Sequence, residues 1–326
     1  MNRRHALAMS LGGISITEPL MAAAAATAKY AGVANAARPG AKRPAVIRSR
    51  DGLELPYSMW GSGPPVLLLH AWALSSAMWS QQVLGLTHAG YSVITFDRRG
   101  HGRAPGNGAG YDFDTLADDV AAAIDQLGLS ELNLVGHSMG SGEAVRYLSR
   151  HGHQKVRRLI LLAPITPFLL QTADNPAGLP ADIQDKILGE IATDFPKWIA
   201  EGTRPFFRPE TSRETMSWMA GIMLSTPLPV AHACAQAFMR EDFRRNLKAI
   251  HVPTLIVHGD HDVSAPLQLT GQRTAEIIPG AKLEVLGGAP HGLFVTDAAE
   301  VNRLIVEFTQ AHGATDMTAT NPRDAV

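Results

Sequence analysis

Glu131-Leu132-Asn133-Leu134-Val135-Gly136-His137-Ser138-Met139-Gly140-Ser141-Gly142 decides the fold. A short apolar run meets a G-x-S-x-G turn, and a helical pattern follows from Glu143. The order predicts strand, sharp turn, helix, with Ser138 thrust out at the end of the strand toward a partner base. Gly136 and Gly140 suit such a turn because a Cβ at either would crowd its neighbours. A glycine-rich bend of purely structural purpose would have the same local pattern. What separates the two readings is whether an acid and a histidine follow at the ends of later strands.

Five further apolar runs punctuate the chain, at residues 66–69, 91–96, 158–162, 254–257 and 283–286. Helical patterns lie between them. Residues 113–127 place Leu116, Val120, Ala123, Ile124 and Leu127 on one stripe, and residues 300–309 do the same with Val301, Leu304, Ile305 and Phe308. Apolar strands alternating with amphipathic helices predict a mostly parallel central sheet covered by helices on both faces. In such sheets the chemistry sits beyond the carboxyl ends of the strands.

Residues 254–257 lead into His258-Gly259-Asp260-His261-Asp262-Val263-Ser264-Ala265-Pro266, and residues 283–286 into Gly287-Gly288-Ala289-Pro290-His291-Gly292. The chain therefore offers Ser138, an aspartate and His291, in that order, as nucleophile, acid and base. Two aspartates compete for the acid. Asp262 has the G-x-x-D spacing after Gly259, whereas Asp260 is better placed to bind turn amides. The histidines and aspartates of residues 258–262 have the residue types of a metal cluster, but the acid-bearing turn accounts for them, and no metal or cofactor is called for. Developing negative charge on a substrate needs two backbone N–H donors. Met139 supplies one at a helix start, and Trp72, in the loop after residues 66–69, supplies the other by position. His70 is read as a hydrogen-bonded structural residue.

Phe96-Asp97-Arg98-Arg99-Gly100-His101-Gly102-Arg103, Tyr111-Asp112-Phe113-Asp114-Thr115-Leu116-Ala117-Asp118-Asp119, Gly136-His137-Ser138-Met139-Gly140 and Arg150-His151-Gly152 resemble the cofactor-free haloperoxidase, perhydrolase and arylesterase family of α/β-hydrolases. The likeness extends from about residue 46 to about residue 312. It implies an α/β-hydrolase fold with a helical cap, and a serine esterase that can also make peracids from carboxylic acids and hydrogen peroxide. It carries Ser138, Asp262 and His291 as the triad and Trp72 and Met139 as oxyanion donors. The chain departs from the family pattern at Ala71, usually glycine, at Ala104, usually serine, and at Val263-Ser264-Ala265, usually bulkier. Relatives tuned for peracid formation often carry proline after the oxyanion tryptophan, where this chain has Ala73, so ordinary ester hydrolysis is expected to dominate.

The alternation lapses over about residues 164–230, which read as a cap insertion with helices at residues 182–191 and 211–223. Ile165, Phe168, Leu169, Trp198, Phe207, Val263 and Phe294 are the expected walls of a small apolar substrate pocket. At 326 residues, 45% hydrophobic and net charge −1, one catalytic domain over residues 45–314 is expected, binding a small ester. No basic stripe suggests nucleic acid. The single Cys234 cannot form an intrachain disulfide. Residues 1–44 combine Arg3-Arg4, an apolar stretch, a small-residue tract and a linker, and read as a twin-arginine-like export signal with periplasmic destination. Glu18 and Pro19 break the apolar stretch too soon for a membrane span. Without a working signal the chain would be cytoplasmic. Residues 315–326 read as a disordered tail. Carbon–carbon bond or lactone hydrolysis on the same fold, a serine aminopeptidase, or a slow-turnover small-molecule receptor are the competing readings.

Overall fold

A computed structural model describes residues 45–311; the expected export segment, linker and C-terminal tail lie outside them. In chain order come β1 (Ile47–Arg48), β2 (Glu54–Leu55), β3 (Tyr57–Trp60), β4 (Pro65–Leu69), a 3₁₀ turn (Ser76–Trp79), α1 (Ser80–His88), β5 (Ser92–Phe96), α2 (Phe113–Gln126), β6 (Leu132–His137), α3 (Met139–His151) and β7 (Val156–Leu162). Four cap helices follow: α4 (Ala181–Thr193), α5 (Phe195–Thr203), α6 (Arg213–Leu224) and α7 (Leu228–Arg240). The chain closes with α8 (Arg244–Lys248), β8 (Thr254–Gly259), α9 (Gly271–Ile277), β9 (Lys282–Leu286), α10 (Leu293–Thr296) and α11 (Ala298–Ala311).

Seven strands form one sheet in the order β3-β5-β4-β6-β7-β8-β9, antiparallel only between β3 and β5. All six apolar runs of the sequence are strands of this sheet. The edge strand β3 was not legible, since Tyr-Ser-Met-Trp lacks a buried face and is only partly covered. Successive residues of the central strands feed opposite cores. Leu67, Leu69, Leu134, Leu159 and Leu161 pack toward α2 and α3, whereas Val66, Leu68, Val135, Ile160 and Leu162 pack toward α1 and α11. Burial on both faces explains why these strands read as unbroken Val/Ile/Leu runs. Among the described residues no helix is long and apolar enough to cross a membrane.

The cap extends to Arg240 instead of ending near 230. Pro229 lies in the first turn of α7, where its missing N–H costs nothing, so it opens a helix instead of closing the insertion. Val230, Ala231, Cys234, Ala235 and Met239 then bury one face of α7.

The turn between β6 and α3 is tight. Ser138 has φ +54°, ψ −118°, and a Cβ built on Gly140 would lie 2.3 Å from the Leu69 carbonyl oxygen and 2.9 Å from that of His70. Both obstacles are backbone, which cannot swing aside. Gly140→Ala is therefore expected to destabilise the fold by about 2–3 kcal/mol, a fall in Tm of roughly 5–10 °C. Gly189→Ala, in α4 with nothing within 4 Å of the built Cβ, should be neutral or stabilising. Calorimetry of the two variants beside the wild type checks the contrast.

Candidate active site

The ends of β6, β8 and β9 bring the three residues together. Ser138 Oγ lies 2.9 Å from His291 Nε2, and His291 Nδ1–H donates to Asp262 Oδ2 at 2.6 Å. All three are buried. The other carboxylate oxygen of Asp262 accepts from the backbone N–H groups of Ser264 and Ala265 at 2.9 and 2.8 Å. Burial raises the Asp262 pKa, but the neighbouring His291 charge and the hydrogen bonds from His258 and His291 outweigh it and hold the carboxyl well below its ordinary range. An ionised carboxylate bonded to Nδ1 leaves Nε2 free to accept the serine proton. Asp260 instead accepts from the Gly288 N–H at 2.6 Å and pairs with the exposed His261, as a turn residue does.

His137, inside the elbow, fastens the base to it. Its Nε2–H donates to the His291 carbonyl at 2.9 Å, and its ring stands 4.9 Å from the His291 ring. Burial, followed by the His291 charge, lowers its pKa to about 3, so it is a neutral strut. From the cap, the Phe206 carbonyl accepts the Gly292 N–H at 2.9 Å, the Phe206 ring meets the His291 ring, and Arg208 pairs with Asp297 and the Gly287 carbonyl.

The loop after β4 is pinned through its carbonyls. Arg98 Nη2 donates to His70 O at 2.5 Å and Nη1 to Ala71 O at 3.2 Å, while the Thr226 hydroxyl donates to Ala73 O at 2.9 Å. The Trp72 indole donates to Ala231 O in α7 at 2.7 Å and makes edge contacts with Phe195, Trp198 and Phe238. The Trp72 backbone N–H makes no hydrogen bond among the described residues. Met139, first residue of α3, presents its N–H ahead of the helix's own ladder. His70 serves the loop as a neutral imidazole, accepting from the Arg98 N–H and donating to Ala71 O; burial, then the Arg98 charge, depress its pKa.

The expected pocket residues divide. Trp198 meets Trp72, Phe207 stacks edge-on against Phe206, and Ile165 and Leu169 share the core that holds Trp72. Phe168 is buried with its ring beneath the Arg244 guanidinium. Two expectations are corrected. Phe294 is wholly buried in a ring stack with Trp79, His137 and Phe206, where it backs the elbow, because two residues past Gly292 the chain has already turned inward into α10. Val263 is 64% exposed, since the Asp262 carboxylate draws the backbone of Ser264 and Ala265 around itself and leaves residue 263 on the outside. A surface cleft of about 460 Å³ lies between α4 and α5, with Lys186, Glu190, Lys197 and Trp198 among its lining, and does not include Ser138.

Arg98, His137 and Thr226 had no functional reading in the sequence, for their contacts join distant segments. Arg98 also forms a buried ion pair with Glu143 of α3, so one guanidinium ties the loop to the elbow helix. Burial raises the Glu143 pKa and the Arg98 charge opposes it. Arg98→Met, which strands the carboxylate, should cost about 3–5 kcal/mol. Adding Glu143→Leu should recover most of that loss in urea unfolding, although the His70 and Ala71 carbonyls stay unanswered.

Residues 64–298 match the family model for the alpha/beta hydrolase fold. The chain is 37% identical over 273 residues to a non-heme chloroperoxidase of Kitasatospora aureofaciens, covering 81% of this chain and 98% of that protein. It is 33% identical over 276 residues to a bifunctional esterase/perhydrolase of Acinetobacter calcoaceticus, covering 81% and 99%. An esterase structure from Exiguobacterium antarcticum superposes with a TM-score of 0.78 at 31% identity, covering 81% and 98%. With its elbow, sheet order and relatives all in agreement, the chain belongs to the non-haem haloperoxidase family of α/β-hydrolases.

Proposed function

We propose that the protein is a serine esterase acting on small carboxylic esters through an acyl-enzyme, with peracid formation from hydrogen peroxide as a secondary activity. The observation that carries this reading is the continuous relay from Ser138 Oγ through His291 to Asp262. His291 takes the serine proton as the hydroxyl attacks the ester carbonyl, and returns it to the leaving alcohol. Trp72 and Met139 N–H groups hold the oxyanion. Water, or peroxide in the secondary reaction, then attacks the acyl group with His291 again as base. Relatives named as haloperoxidases and as an esterase/perhydrolase support both branches.

Ala73 favours hydrolysis over peracid formation. Its φ is +56°, a left-handed conformation closed to proline, whose ring fixes φ near −65°. The loop therefore has a path that the proline-bearing relatives cannot share, and the Ala73 carbonyl that Thr226 holds belongs to that path.

A panel of short-chain aryl and alkyl esters tests the main reading. Ser138→Ala should lose at least about a thousandfold in phenyl acetate turnover with an unchanged Tm; retained turnover would end the esterase assignment. Acetate-dependent bromination under peroxide, measured beside phenyl acetate hydrolysis, tests the ordering. Ala73→Pro, which must rebuild the loop, should move the ratio toward bromination, and a wild-type ratio already dominated by bromination would reverse it.

A further inference from the structure

One buried imidazole touches the acid of this relay without belonging to it. His258, near the end of β8, is fully buried, and its Nε2 faces two acceptors: the Ala265 carbonyl at 2.8 Å and Asp262 Oδ2 at 3.1 Å. Nε2 therefore carries the proton. The same Oδ2 accepts from His291 Nδ1, while Oδ1 takes the Ser264 and Ala265 N–H groups. His258 Nδ1 is buried with no hydrogen-bond partner among the described residues, packed where a Cβ on Gly271 would lie 2.3 Å away. Leaving a ring nitrogen dry is a cost that an apolar side chain of similar volume would avoid. Space filling alone does not account for an imidazole here.

We propose that His258 is a positioning residue of the site: its Nε2–H shares Asp262 Oδ2 with His291 and so sets how strongly that oxygen holds the catalytic imidazole. The proposal rests on the esterase reading above. A donor on a carboxylate stabilises its charge and lowers its basicity. Without His258, Oδ2 would act on His291 alone and favour its imidazolium form. A base held in that form cannot take the serine proton until the pH is higher, so removing His258 should move the acid limb of the activity profile upward.

The other ionisable groups around Asp262 and His291 do not supply this effect. Asp260 and His261, on the same loop, are exposed and pair with each other. His137, from the elbow, touches the His291 backbone and is held neutral by burial. Arg208, from the cap, is engaged by Asp297. The neighbouring Thr274 of α9 is uncharged and bonds to Thr166.

The test compares His258→Leu with His258→Gln, whose amide N–H reaches the position of the imidazole Nε2–H. Phenyl acetate kcat/KM is measured against pH. In parallel, the His291 imidazole titration is followed by NMR in the Ser138→Ala background, which needs no turnover. In His258→Leu, both midpoints should rise by about half to one pH unit, with kcat at neutral pH down several-fold and KM within about twofold. His258→Gln should stay near wild type. His258→Met, a flexible filler of the same space, replaces leucine should that variant not fold. Unmoved midpoints in the apolar variant, or equal shifts with glutamine, overturn the proposal. Should the wild type prove inactive on esters, the esterase reading falls, and the NMR titration still decides the role of His258.

Discussion

The close approach of the first turn of α3 to the end of β4 is the constraint on which the rest of the site depends. Gly140 lies against the carbonyls of Leu69 and His70, and that contact requires the β6–α3 turn to be sharp enough to hold Ser138 at φ +54°. Holding a serine in that region costs on the order of 1–3 kcal/mol, which the surrounding packing must overcome. In return, the hydroxyl projects toward His291. The same approach sets the Met139 N–H at the start of α3 beside the loop that carries Trp72. Nucleophile and both proposed oxyanion donors thus share one packing contact between two parallel strands and a helix.

A second layer keeps this geometry from relaxing. Arg98 reaches from the loop after β5 to the carbonyls of His70 and Ala71 and to Glu143 of α3. Burying a guanidinium and a carboxylate is costly even when they pair, and an apolar substitute for both would often be as stable. What the apolar substitute lacks is donors. Two carbonyls of the loop need N–H partners, and a fork of donors meets both while neutralising Glu143. Beside it, burial and the Arg98 charge hold His70 and His101 neutral, His101 near a pKa of about 3. An imidazolium in either place would repel the guanidinium that fixes the loop.

The sheet and the meeting of Ser138, His291 and Asp262 were legible because both are written in local patterns. Doubly buried strands give unbroken apolar runs, and each triad residue follows such a run at a short, recognisable distance. The supporting groups were not legible in that way. Arg98, Thr226 and His137 act on residues far from them in the chain, and nothing in their own neighbourhoods distinguishes those contacts from ordinary surface or core chemistry. His258 stood four residues before Asp262, close enough to be noticed, yet its residue type suggested a metal ligand and not a hydrogen-bond donor to the acid. Phe294 failed for the opposite reason. Proximity in sequence to His291 suggested the substrate side, whereas the turn into α10 sends the ring behind His137.

The cap is fastened to the catalytic frame at two separate places, and these are the two halves of the proposed chemistry. Thr226 and Ala231 hold the loop of Trp72 and Ala73, while Phe206 and Arg208 hold the segment that carries His291. The cap therefore bears both on the loop of the proposed oxyanion donor and on the segment of the proposed base. Displacing α7 together with the turn that precedes it would release the Trp72 indole and the Ala73 carbonyl, and displacing the strap at Phe206 would free the backbone N–H of Gly292. A change large enough to move these anchors also alters the distance and orientation on which the proposed proton transfer depends, so the cap and the Ser138–His291–Asp262 relay are physically coupled.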